Sequence, residues 1–161
     1  MPDQRAYTET SKIIKAPRET LYHALLDPES LAVWLPPREM TGVVHEFDAR
    51  AGGGYEMSLF YPSSDEAARG KTSEREDRFR VRFEELSPPA RIVQAVTFES
   101  SDQAFSGEMR VIWTFEIVDG GTRVTVLCKD LPPGIRPADN EAGSKLSLDQ
   151  LARYVEEKQR R

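Results

Sequence analysis

Residues 65–74 read DEAARGKTSE, and Gly70-Lys71-Thr72 within them is the run with which a P-loop grips nucleotide phosphates. That chemistry needs another glycine five positions earlier, where the backbone wraps the phosphates. The chain has Asp65 there, whose carboxylate repels an anion. It also needs a helix whose N-terminus faces the phosphate. The next residues are instead SEREDRFRVRFEEL, where Phe79, Val81 and Phe83 alternate with Arg78, Arg80, Arg82 and Glu84, the period of a strand with one wet face. Lys71 reads as a solvated loop lysine, and the chain is not an NTPase.

The remaining chemistry-bearing side chains are few. One cysteine, Cys128, allows no internal disulfide, and with only two histidines a structural zinc site is excluded. No nucleophile–base pairing is evident, so no catalytic residue, metal or cofactor is assigned. His45 alternates with Val43 and Phe47 and is expected to point toward an apolar groove, where a hydrogen-bonded core histidine is the commoner role. His23, near the end of a helix, reads as surface. Asp48 and Arg50 flank a glycine turn and read as a turn-stabilising pair. Gln94, between Ile92 and Val96, needs a partner if buried and is a candidate polar anchor. Cys128, in step with Val124 and Val126, reads as an inert buried thiol.

These residues ride on a regular succession of elements. Residues 7–15 form a first strand. Pro17 is placed at the first position of a short helix striped by Leu21, Ala24 and Leu25. Asp27-Pro28 starts a second short helix that stops at Pro36-Pro37. Period-two segments come next: GVVHEFDA, GYEMSLFY (Tyr55, Met57, Leu59 and Tyr61 on one side), 75–85, 90–99, 108–118 and 122–129. In the clearest of them Met109, Val111, Trp113, Phe115 and Ile117 share a face. Gly52-Gly53-Gly54 and Asp119-Gly120-Gly121 mark hairpins. From about 138 to 158 the spacing predicts a long helix with Leu148, Leu151, Ala152 and Val155 on one side.

A mainly antiparallel sheet with one apolar face must cover it. Two short helices cannot cover seven strands, so the long C-terminal helix lies across them. A curved sheet around one helix leaves room for a cavity, and apolar cavities bind apolar ligands. The expected fold is therefore α+β. The 161 residues read as one domain with a core over about 8–156. The 39% hydrophobic and 30% charged content is that of a globular protein. A net charge of −5 without a basic run argues against nucleic acid and anionic membranes, and no 18-residue apolar run or signal pattern follows Met1. A single cysteine fits the cytoplasm.

Several stretches resemble one superfamily. KIIKAPRETLYHALLDPESLAVW (12–34) is similar to the opening of the SRPBCC superfamily, also called START or Bet v-like. DARAGGGY (48–55) resembles the D-x-R-x-G-G-x-Y turn of its AHSA-type branch, named for the activator of heat-shock protein 90 ATPase. ELSPPARIV (85–93), GTRVTV (121–126) and the helix with Glu141-Ala142-Gly143, Ser147-Leu148 and Leu151-Ala152 resemble further parts of that branch. The match covers about 8–156. It implies a helix-grip fold: a seven-stranded antiparallel curved sheet wrapped around the C-terminal helix, two short helices after strand one, and an internal pocket. Many members carry Gly-Trp where this chain has Gly143-Ser144. The smaller residue enlarges the pocket unless Trp34 takes the space.

The family shares pocket walls rather than a catalytic constellation. The expected pocket residues are Trp34, His45, Tyr55, Met57, Phe79, Phe83, Gln94, Trp113 and Phe115. The favoured function is binding of a small hydrophobic or aromatic molecule. The alternatives are a polyketide cyclase or aromatase-like enzyme using the same pocket, and a co-chaperone of a heat-shock protein 90 homologue. A chaperone partner is disfavoured, and a homodimer is left open.

Overall fold

The computed structural model describes residues 6–37, 40–61, 76–99, 103–105 and 107–159. Gly70-Lys71-Thr72 lies outside them. The element after it is described, and it is a strand rather than a P-loop's helix. The element order is β1 (Thr8–Ile14), α1 (Arg18–Ala24), α2 (Pro28–Trp34), β2 (Thr41–Phe47), β3 (Gly54–Phe60), β4 (Glu76–Ser87), β5 (Arg91–Phe98), β6 (Met109–Val118), β7 (Gly121–Lys129) and α3 (Pro137–Gln159). All seven strands form one antiparallel sheet in the order β1-β7-β6-β5-β4-β3-β2. With α3 packed on one face, this is the α+β helix-grip arrangement.

Local chemistry sets the boundaries. Pro17 stands at the N-cap of α1 rather than inside it, in extended geometry at φ −65°, ψ 147°. Asp27 caps α2 by accepting from the Glu29 amide at 3.3 Å and from the Ser30 hydroxyl at 2.7 Å, with Pro28 as first helical residue. The β2–β3 turn is tight at Gly53, where a Cβ would lie 2.5 Å from the Asp48 carbonyl oxygen. Arg50 donates to Asp48 across that turn at 2.8 Å, both side chains largely exposed, which fits a turn pair.

Alternation sorts each strand onto two faces. The inner face carries Met57, Val81, Phe83, Ile92, Trp113, Phe115, Val124 and Val126, which form one core with Leu148, Leu151, Ala152 and Val155 of α3. The outer face is a lattice of ion pairs. Arg78 and Arg80 reach Glu56 at 2.9 and 2.8 Å, Arg110 reaches Glu84 at 2.6 Å, and Arg82 reaches Glu108 at 3.4 Å.

Two strands depart from simple alternation: β4, where the pairing with β5 shifts between Phe83 and Glu85, and β2, where the shift moves a candidate site residue. Between His45 and Phe47 the β2–β3 register shifts by one residue, and Glu46 takes up the extra position at φ 45°. Val44 and Phe47 therefore pack on the core, whereas Val43 and His45 turn outward. Simple period two puts Val43, His45 and Phe47 on the same side; the bulge separates the first two from the third. His45 thus faces away from the groove.

Candidate functional site

Between the inner face of the sheet, α2 and the first half of α3 lies a cavity of about 370 Å³. That is within the range of small-molecule sites. Its wall is overwhelmingly apolar, and its rim includes half-buried Leu59, Phe98 and Ile135 and the exposed Asp139.

Of the residues expected around a pocket, Trp34, Tyr55, Phe79, Gln94 and Trp113 line this cavity. Met57, Phe83 and Phe115 do not. They are 0–2% exposed and belong to the packed core, Phe115 edge-on against Tyr22 and Phe83 against Phe47 and Tyr55. Their inward direction follows from strand parity, but parity says nothing about which inward residues border empty space. His45 is on the opposite face, where its Nε2 lies 3.0 Å from the Ser58 hydroxyl. His23 is exposed.

The outer-face group has the makings of a nucleophile site, and its geometry refuses the role. Ser58 gives its one proton to Glu76 Oε2 at 2.5 Å, so His45 must donate to the serine oxygen rather than accept from it. A serine nucleophile needs the reverse polarity. Ser58 is also fully buried, and no substrate carbonyl can reach it.

Inside the cavity the aromatic wall is held from behind. The Trp34 indole donates to the Ala24 carbonyl at 2.9 Å, which ties α2 to α1. Gln150 of α3 donates to the carbonyls of Trp34 and Pro36 at 2.7 and 3.1 Å. Trp34 meets Trp113 edge-to-face, centroids 6.1 Å apart at 81°. Trp113 donates its indole N–H to Gln94 Oε1 at 3.3 Å. Tyr55 stacks on Phe47 at 5.2 Å and 17°. Burial alone pushes its phenol well above the ordinary tyrosine value, and its hydroxyl has no partner among the described residues.

The far end is lined by Cys128, Asn140, Gly143, Ser144 and Ser147, which alternation and aromatic content do not single out as pocket residues. Gly143-Ser144 is the available signal. A small residue stands at 144, and Trp34 lies in the wall without filling the space. The Cys128 sulfur is 3.9 Å from the Ser144 hydroxyl, and Thr8 hydrogen-bonds Asn140 close by. Burial pushes the Cys128 thiol up, and hydrogen bonds with Ser144, Thr8 and Asn140 oppose that only in part. Among the described residues no cluster of His, Cys, Asp and Glu is arranged to hold a metal, and no helix is long and apolar enough to cross a membrane.

Solved structures share this fold. A structure from Chromobacterium violaceum is 32% identical, with a TM-score of 0.80 over 93% of this chain and 96% of that one. A protein from Arthrobacter aurescens shares the fold at 14% identity, with a TM-score of 0.77 over 94% and 86%. The AHSA1-like protein from Aeromonas hydrophila does so at 22%, with a TM-score of 0.72 over 94% and 92%. No curated protein matches the chain. The family described as activator of Hsp90 ATPase homolog 1-like protein matches residues 15–156, nearly the whole sequence, and the chain belongs to that family.

Proposed function

We propose that the protein binds a small, uncharged, apolar or aromatic molecule in the cavity between the sheet and α3, as a single domain in the cytoplasm. The observation that carries this is the unfilled apolar space of about 370 Å³, walled by Trp34, Trp113, Tyr55 and Phe79. Empty apolar space of that size forfeits packing that a ligand restores. No described lining residue is cationic and Asp139 carries a carboxylate at the rim, which favours an uncharged guest over an acid.

Binding is favoured over a cyclase-like reaction because the cavity offers poor acid–base groups. The Tyr55 phenol and the Cys128 thiol are both pushed above their usual values. A general base works best with a pKa near the operating pH. The co-chaperone reading rests on the family description. It predicts stimulation of an Hsp90 homologue's ATPase by the purified protein.

Thermal unfolding against a panel of flavonoids, sterols and polyketide-like aromatics tests the binding function. A ligand at 100 times its Kd adds about 2.7 kcal/mol. For a chain of this length that raises Tm by roughly 5–11 °C. Absence of any shift across the panel overturns the proposal and leaves the co-chaperone reading ahead.

A further inference from the structure

The orientation of one side chain narrows the ligand class, given that the cavity is a binding site as proposed above. Gln94 lies on β5 at 6% exposure, facing the cavity. An amide side chain has an accepting and a donating end, and here the neighbour decides which is which. An indole N–H can only donate, so the group 3.3 Å from Trp113 Nε1 must be the amide oxygen. The amide nitrogen is therefore turned away from Trp113. It has no hydrogen-bond partner among the described residues, and it is not a fully enclosed atom, so it is not sealed in protein. Two N–H donors thus open beside the aromatic stretch of the wall formed by Trp113 and Trp34.

A buried donor without a partner carries a desolvation cost that an acceptor removes. We propose that the Trp113–Gln94 pair is a preset donor site, and that the ligand is an apolar, flat molecule presenting a carbonyl oxygen to the Gln94 amide. The two rings supply the surface and Gln94 supplies the selectivity. A site built to hydrogen-bond its ligand rejects the analogue that lacks the group, because the donor is then left bare. Trp113 is a positioning residue here: its N–H holds the amide in the orientation that aims the donors at the ligand.

The test uses the isosteric pair 9-fluorenone and fluorene, which differ by the carbonyl oxygen, with affinities measured by calorimetry on the full chain. Wild type is expected to bind fluorenone roughly tenfold or more tightly than fluorene, in keeping with one buried hydrogen bond. Gln94→Leu is expected to bring the two affinities to within about twofold by weakening fluorenone, with fluorene unchanged or improved. Should Gln94→Leu not fold, Gln94→Met keeps the length of the side chain and serves the same purpose. Equal binding of both probes by wild type, or a carbonyl preference that survives in the folded variant, overturns the donor site and leaves apolar binding standing. Failure of both probes together with the whole aromatic panel overturns the binding function itself.

Discussion

Between Pro137 and Ser147 the sheet-facing side of α3 carries Asn140, Gly143, Ser144 and Ser147, whereas further along it carries Leu148, Leu151, Ala152 and Val155. The positions continue one helical stripe at spacings of three and four, so the backbone treats both halves alike. The small half borders the cavity, and the large half is 0–5% exposed within the core that also holds Ile14, Phe115 and Val124. The contrast separates two requirements that one helix serves. The second half fastens the helix to the sheet, and the first half leaves a space. The cavity is a property of side-chain volume on a continuous helix, not of a break in the fold.

The comparison breaks most severely at its solid end. Leu151→Ala is expected to cost about 2–5 kcal/mol in chemical unfolding, the range for a fully buried leucine, because nothing there can collapse into the vacated volume. A loss below about 1 kcal/mol means that end is not packed as described. At the hollow end the sign changes. Ser144→Trp is expected to abolish ligand-induced thermal shifts while leaving the Tm of the free protein level or higher. A drop equivalent to about 1–3 kcal/mol, the usual result of overfilling a packed core, means there was no room to fill.

Smaller effects sharpen the picture. The raised Cys128 thiol and its burial predict alkylation by iodoacetamide at pH 7.5 far slower than in urea-unfolded chain, and slower again with the cavity occupied. On the outer face Arg80 lowers the pKa of Glu56, and Arg110 that of Glu84. Folded-state values below the unfolded ones mean their contribution is present above about pH 4.5 and is lost as pH falls through the depressed values. These groups are near the surface, where solvent screens the attraction, so acid titration of stability should show only a shallow loss from each pair. Smallest of all, Lys71→Ala should change stability by no more than about 0.5 kcal/mol, and Mg-ATP should give no calorimetric heat above dilution.

Much of the fold is legible in the sequence because its signals are local. Trp113 and Phe115 alternate with polar residues, Asp27-Pro28 starts a helix by its own chemistry, and Gly53 turns where only a missing side chain fits. The cavity is less legible. Parity identifies Trp34's partner Trp113 and Gln94 as inward, yet it equally identifies Met57, Phe83 and Phe115, which pack solid. Which inward residue borders space depends on what the facing helix presents, and that is a pairing between positions tens of residues apart. Parity puts His45 on the wrong face for a different reason. The bulge sits at Glu46, a residue type without a preference for positive φ, so no residue announces it.

The pairing of β1 with β7 bears on how the chain comes to exist at all. Thr8 lies opposite Cys128, about 120 residues later, so the first strand of the sheet waits for the seventh. At synthesis rates of about 5–20 residues per second that wait lasts roughly 6–24 s. Through it, Ile14, Leu21 and Leu25 have neither β7 nor α3 to shelter them, and closing so long a loop is intrinsically slow. A ribosome pausing before Gly121 therefore holds out a sticky amphipathic fragment, and the yield of native protein depends on how promptly β7 and α3 arrive.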